Sequence, residues 1–293
     1  MINKNKKSAM FIKHKEDFLY CEKIIKKHSK TFYAAFSKLP KEESQSVYAI
    51  YAFCRKADDV VDEDKDAEAL EALRNELQLF EKGKEVDHPV WRALRVVFDS
   101  YEMNIAPFYD MITGQKRDLT FEQPETQEDL ETYSYYVAGT VGLMMLPLLT
   151  DEPDKAQEEA IALGKAMQLT NILRDIGEDL EDDRVYLPKE IMEQHGYTKE
   201  MLENKEINKA FIDLWEYEAE EAETYYKQSL NLIDKMNEGA KKPLLLSLLY
   251  YREILEVVRL NNYDCFTQRA VVKKRRKIEL FKQADNMLNK NIN

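Results

Sequence analysis

An all-α fold follows from three features of the 293-residue sequence. Its eight glycines and eight prolines are too few for the many tight turns of an all-β chain. Apolar residues recur at spacings of three, four and seven along most of the length, the period of one helical face. No run alternates apolar and polar residues as a half-buried strand would. With 44% hydrophobic and 11% aromatic residues, the chain can bury a substantial core, which excludes a disordered protein. The expected organisation is one domain over 1–293, with 1–15 as a flexible basic terminus.

Taken in order, Phe18, Cys21, Ile24, Ile25, Phe32 and Phe36 predict a helix over 16–37, ended by Pro40. Val47, Ile50, Tyr51, Cys54 and Val61 share one side of a helix over 42–63. Similar patterns predict helices over 66–82, 89–102 and 105–113. A loop over 121–128 leads into an uncharged helix over 130–149. Further helices are expected over 154–182, 188–194, 199–203, 207–237, 241–261 and 264–289. The uncharged stretch 132–150 approaches the length of a bilayer span. Its polar start, two glycines and a proline mark it as a buried helix of the core instead.

Charge is unevenly spread. Residues 1–30 hold nine lysines against three acids, and residues 269–293 hold eight basic residues against two, while the whole chain carries −12. The body between is therefore strongly acidic, which argues against nucleic acid as a partner. The two basic ends point to weak, peripheral contact with an anionic membrane face. Cys21, Cys54 and Cys265 form no CxxC pair, and an odd thiol count suits a cytosolic protein. No apolar run of the kind found in secretory signals follows Met1. The four histidines show no metal-ligand spacing.

Two acidic clusters carry the chemistry. Asp58-Asp59-Val60-Val61-Asp62 and Asp175-Ile176-Gly177-Glu178-Asp179 each repeat an aspartate at i, i+4. That spacing stacks two carboxylates on one helical face about 6 Å apart along the axis. Like charges so placed destabilise a bare helix, and a divalent cation would offset the repulsion. Hard oxygen ligands without His or Cys suit Mg²⁺ or Mn²⁺, which leave room for water and substrate phosphates. Gln168, Asn171 and Asp175 share a face, and Asn171, Asp175 and Asp179 form an NxxxDxxxD ladder.

The segments HSKTFYAAF (28–36), YAIYAFCRKADDVVD (48–62), YVAGTVG (136–142) and QLTNILRDIGEDLEDDRVYLP (168–188) closely resemble the squalene/phytoene synthase family, over about His28 to Lys277. The resemblance implies an isoprenoid-synthase fold around a deep cavity and a Mg²⁺-dependent transferase that joins two prenyl diphosphates head to head. It implies metal roles for Asp58, Asp59, Asp62, Asn171, Asp175 and Asp179. It implies diphosphate and substrate contacts for His28, Ser29, Lys30, Tyr51, Arg55, Gln168, Arg174, Tyr251, Arg269 and Lys277. Phe32 and Phe36 fall where an isoprenoid tail would run, and Tyr133 matches a tyrosine at the reaction centre.

The expected reaction condenses two farnesyl diphosphates through a cyclopropyl diphosphate to dehydrosqualene, without NADPH, in carotenoid biosynthesis. Two relatives of that reaction stay open: phytoene from geranylgeranyl diphosphate, and squalene with NADPH. A non-catalytic prenyl-diphosphate-binding protein is the alternative of another class. The charged C-terminal helix differs from the membrane anchor of eukaryotic squalene synthases. Glu63-Asp64-Lys65-Asp66 stands where head-to-tail elongases carry paired arginines.

Overall fold

The computed structural model describes residues 4–62 and 66–290, and those residues form helices without a strand. The chain runs α1 (Lys4–Lys13), α2 (Lys15–His28), α3 (Lys30–Phe36), α4 (Lys41–Asp62), α5 (Ala67–Glu81), α6 (Pro89–Ser100), α7 (Ala106–Leu119) and α8 (Gln127–Ser134). A π-helical turn over Tyr135–Gly139 joins α8 to α9 (Thr140–Leu149). Then come α10 (Gln157–Glu181), α11 (Lys189–Gln194), α12 (Lys199–Glu203), α13 (Lys209–Ser229), α14 (Glu238–Leu260) and α15 (Lys274–Lys290). One cluster of buried side chains extends from Phe11 to Ala284.

Several boundaries differ from expectation, each for a local reason. The helix expected over 16–37 breaks at Ser29, whose backbone leaves the helical region and whose hydroxyl accepts the Phe32 N–H at 3.4 Å. A serine hydroxyl is a good cap, so one pattern becomes two helices. The helix expected over 264–289 begins only at Lys274. Asn262 and Tyr263 adopt left-handed φ of 55° and 61° after α14. Asp264 Oδ1 then accepts the Phe266 and Thr267 N–H groups in an Asx turn. The 207–237 segment ends as a helix at Ser229 and tightens into a 3₁₀ stretch over Leu230–Lys235, while α7 runs on to Leu119 beyond its expected end at 113.

The terminus expected to be flexible is helical over Lys4–Lys13. Phe11 is buried and stacks on Phe18 with ring centroids 4.8 Å apart, so burial of one aromatic orders the segment.

The uncharged stretch packs inside the bundle, and no helix among the described residues is long and apolar enough to cross a membrane. Glycine sets its approach to α10. A Cβ on Gly142 would sit 2.4 Å from the Ala160 carbonyl oxygen, and one on Gly164 2.4 Å from that of Ala138. The backbones of α9 and the π-helical turn before it can lie this close to α10 only without side chains at those positions. Helices α4, α7, α9, α10 and α14, with short α3, thereby surround a central space.

Candidate active site

Two adjoining spaces make up the site. The first is an apolar cavity of about 330 Å³. Phe32 and Phe36 of α3 line it, with ring centroids 5.4 Å apart, and the Tyr251 ring of α14 meets Phe32 edge to face at 5.3 Å. Val47, Ile50, Tyr51 and Cys54 of α4, Met145 and Leu149 of α9, and Leu163 and Met167 of α10 continue the wall. Cys54 is a free thiol that burial pushes well up, as expected of a small buried hydrophobe. At its polar end stand His28, Ser29, Arg55, Asp58, Gln168, Asn171 and Arg174.

The second space is a polar cleft of about 220 Å³ that shares Asp58, Val137, Gln168 and Asn171 with the first. Asp58 comes from α4; Asn171, Asp175 and Asp179 come from α10. Gln115 of α7 donates its amide to Asp58 Oδ1 at 2.5 Å. Burial, with Asp175 and Glu178 nearby, pushes the Asp179 carboxyl up to about 8. A carboxylate resisted that strongly marks a place where a cation would be welcome. Asn171 Oδ1 is buried without a hydrogen-bond partner among the described residues, an acceptor standing among carboxylates. This all-oxygen set fits Mg²⁺ or Mn²⁺, which hold few protein ligands and keep water or phosphate in the rest. Among the described residues no three His, Cys, Asp or Glu groups converge to hold an ion by themselves.

The expected residues divide accordingly. Asp58, Asn171, Asp175 and Asp179 meet in the cleft. Asp59 does not line it: one residue on, the helix has turned 100° and Asp59 pairs with Arg55. The side chain of Asp62 lies outside the described residues. Arg174 is half-buried and clamps Asp175, with Nε at 2.8 Å from Oδ1. Arg269 reaches Asp175 at 3.1 Å and Glu178 at 2.5 Å, carried there by the loop that packs on Gly177, whose N–H donates to the Cys265 carbonyl at 3.1 Å. Lys277 donates to Thr31 Oγ1 at 3.2 Å, and burial lowers its ammonium from the usual value. Lys30 is exposed at the start of α3 and is not on the cavity wall.

Tyr133 belongs to the cleft and not to the apolar cavity. Its ring stacks on Tyr186 at 5.1 Å and its hydroxyl donates to Asp118 Oδ2 at 3.0 Å. Burial foremost, then Tyr186 and Asp118, drives its hydroxyl far above the ordinary range, so it stays protonated. Tyr186 donates to the other oxygen of Asp118 at 3.2 Å. Asp118, Gln115, Tyr186 and Arg184 also line this cleft, beyond the residues that the sequence motifs single out. Gln115 and Asp118 form an i, i+3 polar pair on a buried helix face, and Arg184 and Tyr186 follow directly on the second acidic cluster. Those were the available signals.

The sequence signature described as Squalene/phytoene synthase matches residues 25–276. The chain belongs to the squalene/phytoene synthase family. Its members are head-to-head prenyltransferases of isoprenoid and carotenoid biosynthesis. A 15-cis-phytoene synthase of Synechococcus elongatus is 39% identical over 281 residues, covering 90% of each chain. A 4,4'-diapophytoene synthase of Staphylococcus haemolyticus is 35% identical over 273 residues, covering 91% of this chain and 95% of its own. The crystal structure of a dehydrosqualene synthase in complex with ligand superposes with a TM-score of 0.94 at 48% identity, covering 96% of this chain and 99% of the other. The all-α isoprenoid-synthase fold of this squalene/phytoene synthase is therefore the family's own.

Proposed function

We propose that this squalene/phytoene synthase joins two farnesyl diphosphates head to head through a cyclopropyl diphosphate, and releases dehydrosqualene and diphosphate without NADPH. The observation that carries this reading is the junction of the two spaces. An apolar, ring-lined cavity opens at its polar end onto a cleft of opposed carboxylates. That order suits an ionising head and a hydrocarbon tail. The similarity to a dehydrosqualene synthase at 48% identity supports the thirty-carbon product.

Asp58, Asn171, Asp175 and Asp179, with Asp62 one turn beyond Asp58 in sequence, would hold Mg²⁺, for which Mn²⁺ could substitute. When bound, the metal would neutralise charge on a departing diphosphate. The chain's own residues do the rest. Arg55, Arg174, Arg269 and Lys277 bind diphosphate oxygens, and guanidinium forks suit phosphate geometry. Tyr51, Tyr251 and Gln168 orient the head group at the cavity mouth. The cavity excludes water from the allylic cation left by ionisation, and the faces of Phe32, Phe36 and Tyr51 stabilise positive charge by ~0.5–2 kcal/mol each. Tyr133, fixed in orientation by Asp118, presents a neutral ring and hydroxyl beside the diphosphate. A second reading, phytoene from geranylgeranyl diphosphate, draws on the 39% identical phytoene synthase.

The experiment incubates purified protein and Mg²⁺ with each diphosphate, with and without NADPH, and analyses the lipid extract by mass spectrometry. Dehydrosqualene from farnesyl diphosphate alone is the expected product. Preference for the twenty-carbon substrate, or product only with NADPH, overturns the assignment.

A further inference from the structure

We propose that the outer face of α15, with the loop residue Val271, is a membrane-docking surface for anionic lipid. Ile278 is 52% exposed and Val271 64%, and Phe281 is 37% exposed with Lys242 Nζ 3.6 Å from its ring centroid. On a helix the neighbours of Ile278 are the positions three and four residues away. Here those are Lys274, Arg275, Phe281 and Lys282, three cations and an aromatic ring. Lys274 and Lys282 make no ion pair among the described residues. By contrast Arg276 and Lys277, in the same basic run, turn inward to Glu253 and Thr31.

Charge and composition together select the occupant. Residues 269–293 are net basic on a chain of net charge −12, so an anionic surface is attracted here and repelled by the acidic body. The core of a protein–protein interface is depleted in lysine. On this face the exposed apolar groups alternate with lysines, the arrangement that fits a headgroup boundary, where apolar tips sink and long basic stems reach the phosphates. Position adds a use that goes beyond the proposed reaction. Val271 lies two residues from Arg269, which bridges to Asp175 in the acidic cleft. A chain docked through this face therefore holds the mouth of its site beside the bilayer from which a prenyl diphosphate would be drawn.

The test sediments the full chain with vesicles of phosphatidylcholine alone or with roughly one-third phosphatidylglycerol, at low (about 0.05 M) and high (about 0.5 M) salt. Binding should require the anionic lipid and fall with salt. Lys274→Glu/Lys282→Glu should weaken it by at least about fivefold per reversed lysine, and Ile278→Ser should weaken it further. Both variants should keep wild-type turnover in detergent, which shows that they fold. Unchanged binding of the variants, or equal binding to neutral vesicles, overturns the proposal. So does lipid-free self-association that Ile278→Ser disperses, because a second copy would then be the occupant.

Discussion

Glu218 is buried in the α13 face, 1% exposed, away from the metal cleft, and its replacement by glutamine tests the electrostatics of the bundle. One carboxyl oxygen accepts from Gln127 Nε2 at 3.2 Å. The other, and Gln127 Oε1, are buried without a hydrogen-bond partner among the described residues. Burial, reinforced by Glu221 and Glu131 against the Gln127 bond, pushes the carboxyl from 4.5 up to about 7. The folded value lies above the unfolded one. The associated stability is therefore complete below about 4.5 and is lost as pH rises through about 7. Each tenfold change in proton affinity is worth ~1.4 kcal/mol, so the loss by pH 8 is on the order of 3 kcal/mol. A glutamine has no proton to lose and can exchange amide hydrogen bonds with Gln127 in both directions. At pH 8 Glu218→Gln should melt roughly 6 °C above wild type, taking about 2 °C per kcal/mol for a chain this long. At pH 5, near the start of that window, the difference should shrink to a small fraction of this. Thermal unfolding followed by circular dichroism across pH 5–8 reads this out. A variant less stable at pH 8, or one with the wild-type pH slope, refutes the assignment of a neutral buried acid.

Three further outcomes concern the site. Chelation should abolish turnover and added Mg²⁺ restore it, while Asp175→Asn lowers turnover by orders of magnitude and leaves Arg174 without its charged partner; full activity in the variant would remove Asp175 from the metal set. Phe36→Ala should enlarge the cavity, cost about 3–5 kcal/mol of stability as a buried aromatic truncation, and admit geranylgeranyl diphosphate with some phytoene among the products; an unchanged product spectrum would show that this ring does not limit chain length. Gly177→Ala would place a Cβ 2.6 Å from the Phe266 backbone and should displace the loop that carries Arg269, raising KM for the diphosphate more than it lowers thermal stability.

The parts of the site written along one helix were legible in the sequence, and those written between helices were not. Asn171, Asp175 and Asp179 could be placed on one face because helical spacing alone decides it. Asp58 and Asp59 could not be separated that way, since which of two adjacent aspartates faces the cleft depends on how α4 packs against α7, where Gln115 meets Asp58. Asp118 was hidden for the same reason. It is a single acid near the end of α7, and only the fold brings the hydroxyls of Tyr133 and Tyr186 to its two oxygens.

The break at Ser29 shows how a small local event serves the site. An unbroken helix would carry His28 and Phe32 along one straight axis. The Ser29 cap ends α2 and restarts the chain as α3, so that one side of a seven-residue helix brings Phe32 and Phe36 to the cavity beside Tyr251. Its cost is one helical turn, and hydrophobic periodicity, which continues through the break, cannot report it. The polar head and the apolar tail of the site thus meet at a serine whose hydroxyl is used for capping, which is why Ser29 and His28 border the cavity while Lys30, one residue further, points to solvent.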